Sequence, residues 1–286
     1  MLFATTSLAA RIDRAECQVT VDFGTLARRR DPDVLLQPIG GATAVFAGPD
    51  QPFSKLVGLG FDGPIDEEAL DRVEQEYDRR GAALRVELAT VAGNGVAPLL
   101  TSRGYTLIGF ENVLGLELTS DVVARLHDDR SPEIDVTRVE AQDVRTWIRV
   151  VTDAFVHPDA FDGPPPTETF DAAVIERVFG DVAAIPSMSM YLARRSGEVA
   201  GGGAVRLLDG LAMLSGAATL PAHRRRGVQS TLLRRRLVDA ARSGCDLAVV
   251  TTEPASKSQE NVQKAGFALL YSRAVLVRAP KGDSHP

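Results

Sequence analysis

Between Ala222 and Arg236 the chain reads AHRRRGVQSTLLRRR, six arginines in fifteen residues with a single glycine among them. Guanidinium groups are permanently charged planar donors, so the chemistry open to this stretch is the binding of phosphate or another anion. The rest of the chain limits which anion. Its 286 residues hold 32 Lys and Arg against 38 Asp and Glu, a net charge of −6. That bulk repels a polyanion such as nucleic acid and an anionic membrane surface, so neither is expected as a partner. A small anionic ligand is the better match.

The flanking elements say how such a ligand would be held. The run SMSMYLARRSGEVAGGGAVRLLDGLAMLSGAATL reads as three antiparallel strands with turns at Ser196-Gly197 and Asp209-Gly210, and Pro221 closes it. Beyond it, Leu232, Leu233, Leu237, Ala240 and Ala241 recur at helical spacing. HRRRGVQS is therefore a strand-to-helix turn centred on Gly227. Amides at a helix start lack intrahelical partners and sit at the positive end of the dipole, and a glycine there lets the backbone approach an anion closely. Arg234, Arg235 and Arg236 fall inside the helix, point in different directions around it and read as its polar shoulder. Gly201 to Gly203 read as relief of crowding in a strand, with a bulge or a close ligand approach as the alternative.

The elements around this turn occur twice. Helix EEALDRVEQEYDRRG precedes strand LRVELAT in the first half, and helix QSTLLRRRLVDAARSG precedes strand CDLAVVTT in the second. Thr90 stands 14 residues before Gly104, and Thr252 stands 14 before Gly266. Helix, glycine cap, strand, short helix, aromatic-glycine corner and strand form one unit used twice. The polar stretch Thr119 to Val136 lies between the halves and reads as a linker. The expected division is 1–120, a linker at 121–133, a second domain at 134–280 and a tail at 281–286.

Smaller signals set further expectations. The N-terminus reads as an amphipathic helix from about Ser7, and FDAAVIERVF as a helix with Thr167 or Thr169 as N-cap. Trp147 sits on an amphipathic helix and reads as packing. Two distant cysteines, Cys17 and Cys245, can pair, but such sparse usage fits a reducing cytoplasm better. Four scattered histidines and no paired spacing point to no metal site, and no apolar run is long enough to span a bilayer.

With these elements in place, ATLPAHRRRGVQSTLL resembles the acetyl-CoA pyrophosphate loop of the GCN5-related N-acetyltransferases (GNAT), whose pattern is Gln/Arg-x-x-Gly-x-Gly/Ala. Arg224 and Gly227 take the first two fixed positions, and Gln229 departs from the pattern at the third. SQENVQKAGF, with Asn261 and the Gly266-Phe267 corner, is similar to the region that follows in the family. The resemblance covers roughly Ile134 to Val277 and, more faintly, the repeat in the first half. It implies an α+β fold: a mixed, mostly antiparallel splayed sheet flanked by helices, in two related domains. It also implies acetyl-CoA as co-substrate, without a metal. Backbone at Ala218, Thr219 and Leu220 would pair with pantetheine. The amides of Arg225, Arg226, Gly227, Val228, Gln229 and Ser230 would cradle the pyrophosphate, with Asn261 facing the cofactor.

The implied reaction is direct transfer of an acetyl group to an amine of a small molecule or peptide. The family's usual acid, a tyrosine four residues before the Gly-Phe corner, is replaced by Val262. Tyr271 is the replacement acid to be named, and Glu253, at the end of a splayed strand, the base. The plain alternatives are a polar strand-end residue and a half-buried strand tyrosine. VHPDAFDGPPPTET, carrying His157, Asp159 and Asp162, reads as a lid over the acceptor site or equally as a rigid surface loop. The first half lacks the loop. FDGPIDEEAL puts Asp62, Asp66, Glu67 and Glu68 where arginines would be needed, so it reads as a degenerate domain that supports the catalytic half. The alternative to an enzyme is a catalytically silent acyl-CoA-binding or scaffold protein. A homodimer stays open.

Overall fold

The structure, a computed structural model, describes residues 2–49, 51–128, 132–157 and 171–281. In chain order the first elements are α1 (Thr6–Arg30), β1 (Leu35–Ile39), β2 (Ala42–Phe46), β3 (Lys55–Val57), α2 (Glu67–Arg79), β4 (Leu84–Ala89), α3 (Val96–Ser102) and β5 (Thr106–Glu117). Then come α4 (Ser120–Asp128), β6 (Ile134–Arg138), α5 (Val144–Val156), α6 (Ala172–Ala183), β7 (Met188–Arg195), β8 (Glu198–Leu208) and β9 (Leu211–Thr219). The chain closes with α7 (Val228–Arg242), β10 (Leu247–Thr252), α8 (Lys257–Lys264) and β11 (Ala268–Arg278).

Two compact units result, one of residues 3–112 and 271–286, the other of residues 1–2 and 113–270. In the N-terminal unit the strands run in the order β1-β2-β3-β4-β11-β5, and in the C-terminal unit β5-β10-β9-β8-β7-β6. Both are mixed sheets flanked by helices: β4 lies parallel to β3 and β10 parallel to β9, while β1–β2, β2–β3, β4–β11, β6–β7, β7–β8 and β8–β9 are antiparallel. Each unit has its own core. Leu56, Leu70, Val73, Tyr77 and Leu84 are buried in one, and Leu114, Leu232, Leu237, Ala248 and Phe267 in the other.

The repeated unit is built by one local device used four times. After α2 the left-handed Gly81 lets the amides of Gly81 and Ala82 turn back to Asp78 and Tyr77. After α7, Gly244 and Cys245 turn back to Ala241 and Ala240; α3 ends the same way at Gly104 and α8 at Gly266. Each pair satisfies carbonyls that the helix end leaves open, and Tyr105 and Phe267 bury the residue just beyond.

The unit boundaries fall inside strands, at 112/113 in β5 and 270/271 in β11, whereas the sequence placed a division in the polar 121–133 segment. Strand β5 changes from mostly exposed to buried at Asn112, and Leu114 and Leu116 of its buried end join the C-terminal core. The segment read as linker opens with helix α4, because Val122 and Leu126, one turn apart, pack on the core beside α7. Helix α6 is capped by Asp171, whose carboxylate accepts from the Ala173 amide; Thr167 and Thr169 lie outside the described residues. So does the expected lid with Asp159 and Asp162, apart from its first residues at Val156 and His157.

Arg236 corrects the sequence reading. It is no polar shoulder: its side chain is 2% exposed, and its Nη1 donates to the Ala204 carbonyl at 2.9 Å. The three glycines opposite are explained by crowding. A Cβ on Gly201 would meet the Ala218 carbonyl at 2.6 Å, on Gly202 the Val151 side chain at 2.7 Å, and on Gly203 the Arg236 guanidinium at 3.0 Å.

Candidate functional site

Strand β9 parts from β10 partway along its length. Their parallel pairing runs from Leu211–Leu247 to Leu214–Val250, yet β9 continues to Thr219 and β10 to Thr252. On its other edge β9 carries a bulge against β8, since Gly202 pairs with Ala218 and Ala204 with Ser215. β8 takes two steps where β9 takes three, and the surplus falls at Gly216 and Ala217, with Gly216 at φ +57°. A bulge bends and twists its strand, which turns the end of β9 away from β10. Beyond the bulge the Leu220 amide donates to the Ala200 carbonyl at 3.0 Å. By strand alternation Ala218 therefore also faces β8, while Thr219 turns its backbone toward the opening.

The turn that follows leads straight into α7. Arg225 and Gly227 both adopt left-handed backbone, φ +57° and +80°. A Cβ on Gly227 would find only Ile134 at 3.7 Å, so the backbone conformation, and not space, calls for glycine there. Gly227 is the N-cap of α7 and offers no side chain to cap it. The first intrahelical bond is from the Thr231 amide to Gly227, which leaves the amides of Val228, Gln229 and Ser230 directed out of the helix end. Arg225, Arg226, Gly227 and Ser230 are exposed, while the Val228 side chain is buried in the core, so only its amide serves the turn. Alternating left-handed residues followed by open amides make an anion nest on a positive dipole end.

Arg224, the first fixed residue of the motif, holds the turn from behind. Its Nε donates to the Thr219 carbonyl at 3.2 Å and its Nη2 to the carbonyl of His157 at the end of α5. Gln229 is tied across to the next helix: Asn261 Nδ2 donates to Gln229 Oε1. The larger side chain at the motif's small position thus has a partner, which sequence reasoning did not foresee. Gln229, Ser230, Arg234, Asn261 and Lys264 line a groove of about 470 Å³ between α7 and α8, with Arg125 of α4 on its rim.

The proposed proton carriers are separated by unit. Glu253 is exposed just past β10 in the C-terminal unit. Tyr271 belongs to the N-terminal unit, where burial pushes its phenol up against the nearby Arg273 charge. Val262 is 4% exposed in the core. Cys17 and Cys245 are both buried, and no disulfide joins them. Among the described residues no group of three or more His, Cys, Asp or Glu can hold a metal ion, and no helix is long and apolar enough to cross a membrane.

The N-terminal unit has the corresponding elements without the opening. The Asp66 carboxylate caps α2 by accepting from the Ala69 amide at 2.9 Å, with Glu67 and Glu68 in the first turn. The Gly93 amide donates to the Gly60 carbonyl at 2.9 Å, and a Cβ on Gly60 would meet Val96 at 2.8 Å. The start of α3 is thus packed against the loop that leads to α2.

No curated protein matches the chain by sequence. Among solved structures, a GCN5-related N-acetyltransferase from Kribbella flavida is similar over 97% of both chains, at 18% identity and a TM-score of 0.65. A tandem GNAT protein from the clavulanic acid biosynthesis pathway is similar over 92% of this chain and 89% of its own, at 12% identity and a TM-score of 0.64. A GCN5-related N-acetyltransferase from Sphaerobacter thermophilus covers 84% of this chain and 78% of its own, at 15% identity and a TM-score of 0.54. Identities this low show a shared fold. Residues 154–267 match the model of the acetyltransferase (GNAT) family, and the chain carries a domain of that family, with the parted strands and the Gly227 turn inside it.

Proposed function

We propose that the C-terminal unit binds acetyl-CoA and transfers its acetyl group directly to an amine of a small molecule or peptide. The observation that carries this reading is the uncapped start of α7 at Gly227, placed at the end of the parted strand β9. The amides of Arg225 to Ser230 would hold the pyrophosphate, and the backbone at Thr219 the pantetheine arm, with Ala218 and Leu220 shaping the strand beside it. Asn261, held by Gln229, would meet the cofactor from α8. Acetyl-CoA would supply a thioester whose carbonyl carbon accepts the amine. As the new C–N bond forms and the C–S bond breaks, the amine proton passes to a base and the thiolate takes up a proton.

Glu253 is the proposed base and Tyr271 the proposed acid, its phenol kept protonated by burial. The rest of the N-terminal unit would act as support. Val262, buried where the family has its usual tyrosine, favours one alternative: an acyl-CoA binder without activity.

Calorimetric titration with acetyl-CoA tests the first half of the proposal; absence of heat and of thermal stabilisation refutes both the enzyme and the binder. Thiol release with a panel of amines then separates them, since the enzyme releases free CoA and the binder does not. Glu253→Gln and Tyr271→Phe are each expected to lower kcat by about a hundredfold. An unchanged kcat removes that residue from its role.

A further inference from the structure

Arg236 is a fully buried cation in the middle of α7, and the anion nest does not use it. Three carbonyl oxygens receive its guanidinium: Nη1 donates to Ala204 at 2.9 Å and to Ser215 at 3.3 Å, and Nε to Leu232 at 3.1 Å. Burying a charge on neutral partners is expensive, and burial pulls this guanidinium down to about 10, which still leaves it protonated at neutral pH. Its position explains why it is kept. Ala204 and Ser215 are paired across β8 and β9 on one side of the bulge, next to the surplus residues Gly216 and Ala217. An extra residue interrupts the regular ladder, and the carbonyls beside it need donors from elsewhere. Gly203 leaves room for that donor, since a Cβ there would stand 3.0 Å from the Arg236 Cζ.

We infer that Arg236 is a positioning residue of the cofactor strand: its buried guanidinium pins the carbonyls beside the β9 bulge and so fixes how the last residues of β9 face the opening. A surplus residue reverses the alternation of the strand beyond it. Loss of the pin would let β9 relax toward a regular ladder and misdirect Thr219, while the amides at the start of α7 would keep their place. The inference rests on the acetyl-CoA reading, and it divides the cofactor into two parts with separate supports.

ADP carries the pyrophosphate without the pantetheine arm, so the test compares ADP with acetyl-CoA. Both are titrated calorimetrically into the wild-type chain, Arg236→Met and Arg236→Lys, with melting curves recorded for each. In the Met variant ADP affinity is expected to stay within about twofold while acetyl-CoA affinity falls by about tenfold or more. The Lys variant keeps the cation but reaches fewer carbonyls, and is expected to lose about threefold for acetyl-CoA alone. Should the Met variant fail to fold, the Lys variant decides by the same ratio. An unchanged ratio in a folded variant overturns the inference and leaves the cofactor reading standing. Equal loss of both ligands also overturns it, because it marks Arg236 as support for the unit as a whole. A wild-type chain that binds neither ligand overturns the cofactor reading and the inference with it.

Discussion

Helices α2 and α7 occupy the same place in the repeated unit, each running from one of two parallel strands to the other, and each ends on the same glycine cap. Their beginnings differ in every respect that matters to an anion. At α2 the Asp66 carboxylate fills the dipole end, two glutamates follow, and the Gly60–Gly93 bond packs the next helix against the loop. At α7 a left-handed glycine leaves the end uncapped, and a groove runs between α7 and α8. The same backbone plan therefore either satisfies its helix start with its own acids or keeps it open. Self-capping stabilises the fold and removes the site; an open start gives up that stabilisation and retains a place for phosphate.

The sharpest way to break this comparison is at Gly227. A β-branched valine cannot take up φ +80° without strain, so Gly227→Val should weaken acetyl-CoA binding by at least about a hundredfold. Calorimetry showing affinity within threefold of wild type would refute the placement of the pyrophosphate. A smaller effect comes from making α7 resemble α2. Ser230→Glu puts a carboxylate in the first turn, which should cost about tenfold in acetyl-CoA affinity and raise stability by about 0.5 kcal/mol through the dipole. Weakened binding without stabilisation would mean the carboxylate blocks the groove and leaves the helix end untouched.

The reverse change acts on stability only. Asp66→Ala removes the cap of α2 and should cost about 1 kcal/mol in chemical denaturation, with acetyl-CoA affinity unchanged. Tighter acetyl-CoA binding by this variant would reveal a second site in the N-terminal unit and end the contrast. The smallest expected effect is pH-dependent. Burial pushes Asp13 of that unit up to about 7, against the opposing charge of Arg273. Between its ordinary value of 3.8 and about 7 the folded chain holds a proton that the unfolded chain releases. Stability from this group is complete at the acid end and is lost as pH rises through that window. Asp13→Asn should remove the loss, so its melting temperature relative to wild type should rise from pH 4.5 to pH 8. A difference that stays flat would rule out Asp13 as the titrating group. Glu87 works in the opposite sense: burial would raise it, but Lys55, Arg85 and Arg273 prevail and hold it at about 2, so its contribution is lost below about pH 4.5.

What could be read along the chain was local. The glycine caps at Gly81, Gly104, Gly244 and Gly266 announce themselves by a few neighbouring residues, and so does the turn around Gly227. The carboxylates ahead of α2 were also legible, because capping acts over three residues. Helix α4 was missed because its two packing residues sit in a polar stretch and find their core only in three dimensions. The Gln229–Asn261 bridge joins residues 32 apart, and nothing in either neighbourhood signals it.

The sequence by itself therefore determined the repeated units, the strand-to-helix turn with its left-handed glycine, and the acidic counterpart in the first half. Each depends on backbone conformations and capping bonds that neighbouring residues set. Tertiary structure alone decided the fate of the arginines. Arg224 is spent on carbonyls of Thr219 and His157, Arg225 and Arg226 stay exposed, and Arg236 is buried beneath the β9 bulge. It also divided β5 and β11 between two units. A charged side chain or a long strand takes its role from the surfaces that close around it, and those surfaces are assembled from residues far apart in the chain.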